Sequence, residues 1–206
     1  VMYDGMCSLA LLPFSYPKEI REKGIKCKMF DPIYPVLSTH YNNRDHRKIC
    51  VIDGKVAFGG CTYCSKEGSG DFAGNPKDNL IKQFDDITQM MHKKWPEAKY
   101  IGYFQANTNT YAPVSELKEK YEQILNLENV IGLNISTRSD AITPECYEYL
   151  SELNERTFLT VEIGLQSMHE STLKFINRGH DLKNFEECIK ELKRRNIRVV
   201  VHIING

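Results

Sequence analysis

From residue 75 onward the apolar positions alternate between two periods. Leu80, Phe84, Ile87 and Met91 recur at helical spacing behind Asn75-Pro76, a pair that supplies a helix cap and a first-turn proline. The run Lys99-Tyr100-Ile101-Gly102-Tyr103-Phe104-Gln105 then reads as a buried strand. A second helix is expected from about Val114 to Leu127, and a strand from Val130 to Ile135. Thr143-Pro144 opens a third helix reaching about Asn154, and Leu159 to Leu165 reads as the next strand. A short helix from Ser171 to Ile176, a longer one from Leu182 to Arg195, and a strand from Val199 to Ile204 follow.

Strands separated by helices require right-handed crossovers and therefore a parallel sheet, so the fold class is α/β. No Gly-x-Gly-x-x-Gly follows any strand, and an incomplete parallel (β/α) barrel fits better than a dinucleotide-binding sheet. Polar residues gather just past three strand ends: Gln105, Asn107, Thr108 and Asn109; Ser136, Thr137, Arg138 and Asp140; Gln166 and Ser167. Each alone could be a cap or turn former, but their recurrence points to a shared site at the carboxyl ends of the strands.

Residues 1–58 follow a different pattern. Pro13, Pro17, Pro32 and Pro35 punctuate short segments, and a polar loop over residues 41–45 leads into His46-Arg47-Lys48-Ile49-Cys50-Val51-Ile52. Asp53-Gly54 separates this run from Lys55-Val56-Ala57-Phe58, the signal of an antiparallel hairpin.

Composition narrows the classes. With 206 residues, 41% apolar and 26% charged, the chain has the make-up of a globular protein of one or two domains. Its 27 basic and 27 acidic side chains balance, which gives no bulk attraction to nucleic acid or an anionic membrane. No apolar stretch approaches the roughly 20 residues of a spanning helix; Leu9-Ala10-Leu11-Leu12-Pro13-Phe14 is short and broken by proline. Seven cysteines, an odd number, with a single C-x-x-C pair and no signal-like segment, fit metal ligation in a reducing cytoplasm. The sequence opens on Val1 and stops inside an apolar run, so both ends are expected to be cut rather than finished.

Two chemical motifs share one stretch of chain. The first is His46-x-Lys48-x-x-x-x-Asp53. On a strand His46 and Lys48 share a face, where an imidazole can attack phosphorus while an ammonium holds the phosphate oxygens. With Pro32-Ile33-Tyr34-Pro35 ahead of it and Asp53-Gly54-Lys55-Val56-Ala57-Phe58 behind, this segment resembles the first catalytic motif of bacterial cardiolipin synthases in the phospholipase D superfamily. The resemblance covers about residues 1–58 and implies a phosphohistidine at His46, phosphate binding by Lys48 and support from Asp53. Two-motif members of that family need a second copy, which this chain does not contain.

The second motif is Gly59-Gly60-Cys61-Thr62-Tyr63-Cys64, followed by Gly70-Asp71-Phe72-Ala73-Gly74. A bare C-x-x-C serves zinc or redox chemistry as readily as a cluster. Together with Tyr103-Phe104-Gln105-Ala106, Thr137-Arg138, Glu162-Ile163-Gly164-Leu165-Gln166-Ser167 and Ile176-Asn177-Arg178-Gly179-His180, it resembles a radical S-adenosylmethionine (SAM) family related to the catalytic subunit of elongator. The resemblance runs from about Asp53 to the C-terminus. It implies a 4Fe-4S cluster on Cys50, Cys61 and Cys64, three thiolates that leave one iron open to SAM. It further implies SAM held near Tyr63, Gln166 and Arg178, reductive cleavage of SAM to a 5′-deoxyadenosyl radical, an electron donor, and a substrate that the sequence does not name. Arg178 beside Gly179 could equally neutralise a helix C-terminus.

Ten residues separate Cys50 from Cys61, one fewer than in the family pattern. If Asp53-Gly54 is a two-residue hairpin turn, Cys50 pairs with Ala57 and His46 faces Cys61, which separates the two sulfur positions by about 13 Å. A fully extended hairpin and a shared cluster therefore exclude each other. The reading that follows is a chimera, residues 1–58 being a phospholipase D-like fragment and residues 59–206 a truncated radical SAM domain. Cys7, Cys27, Cys146 and Cys188 lack metal-like spacing and read as packed or partly exposed thiols, Lys190 to Arg195 reads as a solvated helix end, and His180 and His202 read first as hydrogen-bonded structural residues.

Overall fold

The structure, a computed structural model, describes residues 36–38, 60–64, 73–75, 77–93 and 95–205. His46, Lys48, Cys50 and Asp53, the expected hairpin, and Cys7 and Cys27 lie outside the described residues.

Five strands form one parallel sheet in the order β1 to β5: Val36–Ser38, Tyr100–Ala106, Val130–Thr137, Phe158–Gln166 and Arg198–Ile203. The helices are α1 (Leu80–His92), α2 (Val114–Leu125), α3 (Pro144–Arg156), α4 (Glu170–Phe175) and α5 (Leu182–Arg194), with a 3-10 turn at Ser139–Ala141. Strand order follows chain order, as successive right-handed crossovers dictate. The sheet is open among the described residues, so the architecture is an α/β partial barrel. The four strands and the four helices expected from residue 99 onward are all present, their ends within two residues of the expected ones.

α1 begins four residues later than the Asn75-Pro76 signal suggests. Asn79 is its cap, its side-chain oxygen accepting from the Lys82 amide at 2.8 Å. Asn75 instead closes a turn ahead of the helix: its side chain accepts from the Lys77 amide at 3.1 Å and its carbonyl from Asp78 at 3.0 Å. Two asparagines offered the same chemistry, and the one adjoining the Leu80–His92 periodicity became the cap. Thr143 caps α3 through the Cys146 amide at 3.2 Å, with Pro144 in the first turn, and Asp181 caps α5 through the Asn184 amide at 2.8 Å.

Alternation in the strands divides the sheet into two chemistries. One face carries Leu133, Ile135, Leu159, Val161 and Ile163, all fully buried against Tyr121, Ile124, Leu150, Leu153 and Leu192 of the helices. Each such side chain stabilises the fold by about 1.5–3 kcal/mol. The intervening positions carry Tyr103, Asn134, Ser136, Thr160, Glu162 and His202. Register brings Tyr103 beside Asn134, Ser136 beside Glu162, and Gly164 beside His202. A buried polar face opposite the helices is what positions the site. No helix among the described residues is long and apolar enough to cross a membrane.

Candidate functional site

The segment Gly60 to Cys64 is a tight turn, the Cys64 amide donating to the Cys61 carbonyl at 3.1 Å. Gly60 has φ 73°, a left-handed conformation that a side chain would strain. The turn is pinned from the far end of α4. The Thr62 amide donates to the Ile176 carbonyl at 3.1 Å, and the Asn177 side-chain amide donates to the Gly60 carbonyl at 2.8 Å. Asn177 itself sits at φ 53°, which asparagine tolerates better than most residues.

Arg178 joins this turn to the sheet. One guanidinium nitrogen donates to Cys61 Sγ at 3.6 Å and the other to the Gly164 carbonyl at 2.9 Å, while Nε is buried without a partner. A Cβ on Gly164 would stand 2.5 Å from Gln166 Nε2 and 2.8 Å from Arg178 Nη2, so only glycine lets these two side chains converge over the strand. Gln166 has φ 68°, its carbonyl accepting from the Ile204 amide at 2.9 Å. The structure thus brings together Cys61, Cys64, Tyr63, Gln166 and Arg178, distant in sequence.

Burial works against the Arg178 charge, yet Tyr63, the Cys61 thiol and Asp140 hold its pKa above the ordinary arginine value. Burial also raises the Tyr63 phenol, an effect that the Arg178 charge opposes and the Cys61 and Cys64 thiols reinforce. The neighbouring His180 is 8% exposed; burial, followed by the Arg178 charge, depresses its imidazole to about 4. Its Nδ1 faces the Asp181 carbonyl at 3.3 Å and its Nε2 is buried with no partner.

Behind Gly164 on the same face, four side chains converge on Glu162. Tyr103 OH donates to Oε2 at 2.7 Å, Ser136 Oγ donates to it at 3.0 Å, and His202 Nε2 stands 2.6 Å from it, while the Asn134 amide donates to Oε1. Burial alone would raise this carboxyl; the hydrogen bond and charge of His202, with the bonds from Tyr103 and Asn134, more than reverse that and leave it below the usual carboxylate value. The strand-end residues expected to share the site divide by role. Asn109 ties loops together, donating to the Phe104 and Ser136 carbonyls at 2.9 Å each, and Arg138 forms a bidentate pair with Asp140 at 2.8 and 2.7 Å. Cys146 and Cys188 are buried free thiols raised by burial to about 12 and about 11.

The polar face around Glu162 went largely unread in the sequence. Its signal was present, since Thr160 and Glu162 interrupt Leu159, Val161 and Ile163 at strict alternation, which in a buried strand marks a second face with its own chemistry.

The parallel α/β sheet gathers a C-x-x-C turn, an arginine and a glutamine past its strand ends. The family profile described as the Radical SAM superfamily matches residues 55–206, and the chain belongs to that superfamily. It is 56% identical over 154 residues to protein YtqA of Bacillus subtilis (strain 168), an alignment covering 75% of this chain and 48% of that protein. The chain therefore spans about half the length of this relative. A shorter match, 45% identical over 60 residues, joins 29% of this chain to 12% of the cardiolipin synthase of Alkalihalophilus pseudofirmus. Among solved structures, the archaeal Methanocaldococcus infernus Elp3 with an N-terminal deletion is similar at a TM-score of 0.48 and 20% identity, covering 62% of this chain and 35% of that one.

Proposed function

We propose that the chain carries the cofactor site of a radical SAM enzyme, with Cys61, Cys64 and Cys50 holding a 4Fe-4S cluster and Tyr63, Gln166 and Arg178 facing SAM. The observation that carries the reading is the bridge from Cys61 Sγ through Arg178 to the Gly164 carbonyl, which fixes a thiol turn over a glycine-cleared strand end. The residues fit the group. Cys61 and Cys64 lie in one turn outside any disulfide, and the unpartnered Arg178 Nε offers a buried donor to an anionic ligand such as a carboxylate. When bound, the cluster and SAM supply reductive cleavage to a 5′-deoxyadenosyl radical. The chain's own part is to aim two sulfurs by the Gly60 turn, to hold a fixed positive charge at Arg178, and to present the Gln166 amide beside it. Cys50 as third ligand requires that residues 46–61 do not pair as an extended hairpin. An electron donor and a substrate complete the reaction, and described cysteines that form no disulfide suit a reducing cytoplasm.

Anaerobic reconstitution with iron and sulfide tests the proposal. The wild-type chain gains broad visible absorption, and Cys61→Ala or Cys64→Ala abolishes it; a wild-type preparation that stays colourless ends the reading. Cys50→Ala separates a three-thiolate site from a two-thiolate one.

The match to cardiolipin synthase favours a second reading for residues 1–58, phosphatidyl transfer by His46, Lys48 and Asp53, in a chain that joins two unrelated segments. Phosphorylated His46 trapped with a phospholipid substrate supports it. One continuous reading frame across residues 53–60 in genomic DNA argues against an artificial junction.

A further inference from the structure

We propose that His202, oriented by Glu162, is a proton acceptor on the polar face of the sheet, serving a substrate group that carries an O–H or N–H. The inference deepens the radical SAM reading, on which it rests for the identity of the site.

The assignment follows from counting donors. Oε2 of Glu162 receives the Tyr103 hydroxyl and the Ser136 hydroxyl, and Oε1 receives the Asn134 amide. Glu162 is 7% exposed, and donors from three other side chains aimed at its carboxyl match the acceptor-only, ionised form. An ionised carboxylate only accepts, so the His202 nitrogen 2.6 Å from Oε2 must carry its N–H. In the neutral ring the other nitrogen, Nδ1, is then a bare lone pair. A carboxylate that accepts the Nε2–H in this way fixes the tautomer and the ring orientation.

The network has a closed end and an open end. The Glu162 side chain is 9% exposed and that of His202 26%, so a ligand meets the imidazole first. His202 pairs in register with Gly164, the residue over which Gln166 and Arg178 converge, and so stands one strand from the proposed SAM site. A second observation points the same way. Asn134 is 5% exposed and spends its amide N–H on Glu162, which leaves its Oδ1 buried with no partner. A flipped amide would set oxygen against carboxylate, so the orientation stands. One network thus presents two acceptors, Asn134 Oδ1 and His202 Nδ1, and asks for a ligand rich in donors.

In the step itself a substrate O–H or N–H proton moves to Nδ1 and the bonding electron pair stays on the substrate oxygen or nitrogen. The imidazolium keeps its Nε2–H on Glu162, whose charge offsets the new positive charge. Glu162 is a positioning residue and does not itself take the proton.

Two measurements on the full chain test this. In 15N-histidine protein at mildly alkaline pH, long-range 1H–15N spectra are expected to show His202 as the single Nε2–H tautomer; an Nδ1–H tautomer overturns the proposal. Diethyl pyrocarbonate, which acylates a bare imidazole nitrogen, is expected to modify His202 on peptide mapping. Glu162→Gln, which keeps an acceptor but removes the charge, is expected to slow that modification about tenfold. An unmodified His202, or equal rates in wild type and variant, overturns it. The Cys61→Ala, Cys64→Ala double variant is expected to retain both signals. If it does while wild-type protein forms no cluster, the proton acceptor stands and the radical SAM reading falls.

Discussion

Acidification should destabilise this domain through His180 in a defined window. The imidazole is 8% exposed, finds only the Asp181 carbonyl at 3.3 Å, and lies near Arg178 and Arg138, whose charges add to burial in disfavouring its protonation; Asp140 opposes them. Its pKa falls from 6.5 to about 4. Between those values the unfolded chain binds the proton and the folded chain does not, so stability falls as pH is lowered through the window and is flat with respect to this residue outside it. At about 1.4 kcal/mol per unit, the full loss is about 3 kcal/mol, a large share of a small domain's stability. The assay is urea unfolding of metal-free wild type and His180→Asn at several pH values. The variant cannot titrate, so the difference between the two proteins should shift in its favour by about 3 kcal/mol on going from neutral pH to pH about 4. A difference that stays constant across the window refutes the reasoning, whatever the absolute stabilities.

Other outcomes follow from the same geometry. Glu162→Ala strands the Tyr103 and Asn134 donors in the interior and is expected to cost about 3–5 kcal/mol in urea unfolding, against about 1–2 kcal/mol for Glu162→Gln, which keeps an acceptor. Because the Glu162 carboxyl is held below its usual value, its contribution is present at neutral pH and is lost as pH falls through its lowered folded-state pKa; the Gln variant should lack that acid limb. Gly164→Ala displaces only side-chain ends, so stability should fall by about 1 kcal/mol while SAM binding by calorimetry weakens markedly. Val201 and Ile203 are 40% and 59% exposed on β5, an edge strand among the described residues, so Ile203→Lys should reduce self-association in sedimentation experiments.

The parallel sheet was legible because its strands carry apolar runs and its helices carry caps whose chemistry is local, as at Thr143-Pro144 and Asp181. The α1 boundary was not, because Asn75 and Asn79 carry the same signal and only the turn between them decides. At the site, the C-x-x-C motif, Gln166 and Arg178 could be picked out individually, but not the contact between them: the Arg178 to Cys61 bond spans 117 positions in sequence and exists only because α4 returns to the cysteine turn. His202 is hydrogen-bonded as expected, but its partner Glu162 was not legible, because it is set by register across two strands, and register is a property of the folded sheet rather than of either strand.

Gln166 carries one more consequence. Its backbone, at φ 68°, occupies a region that costs a residue with a side chain about 1 kcal/mol and costs glycine nothing. Replacement by glycine would relax the end of β4 and at the same time delete the amide beside Arg178. Directed evolution that screens for heat resistance alone would therefore reward the loss of this side chain, and a library screened in that way would drift toward sturdier proteins that lack the proposed SAM contact.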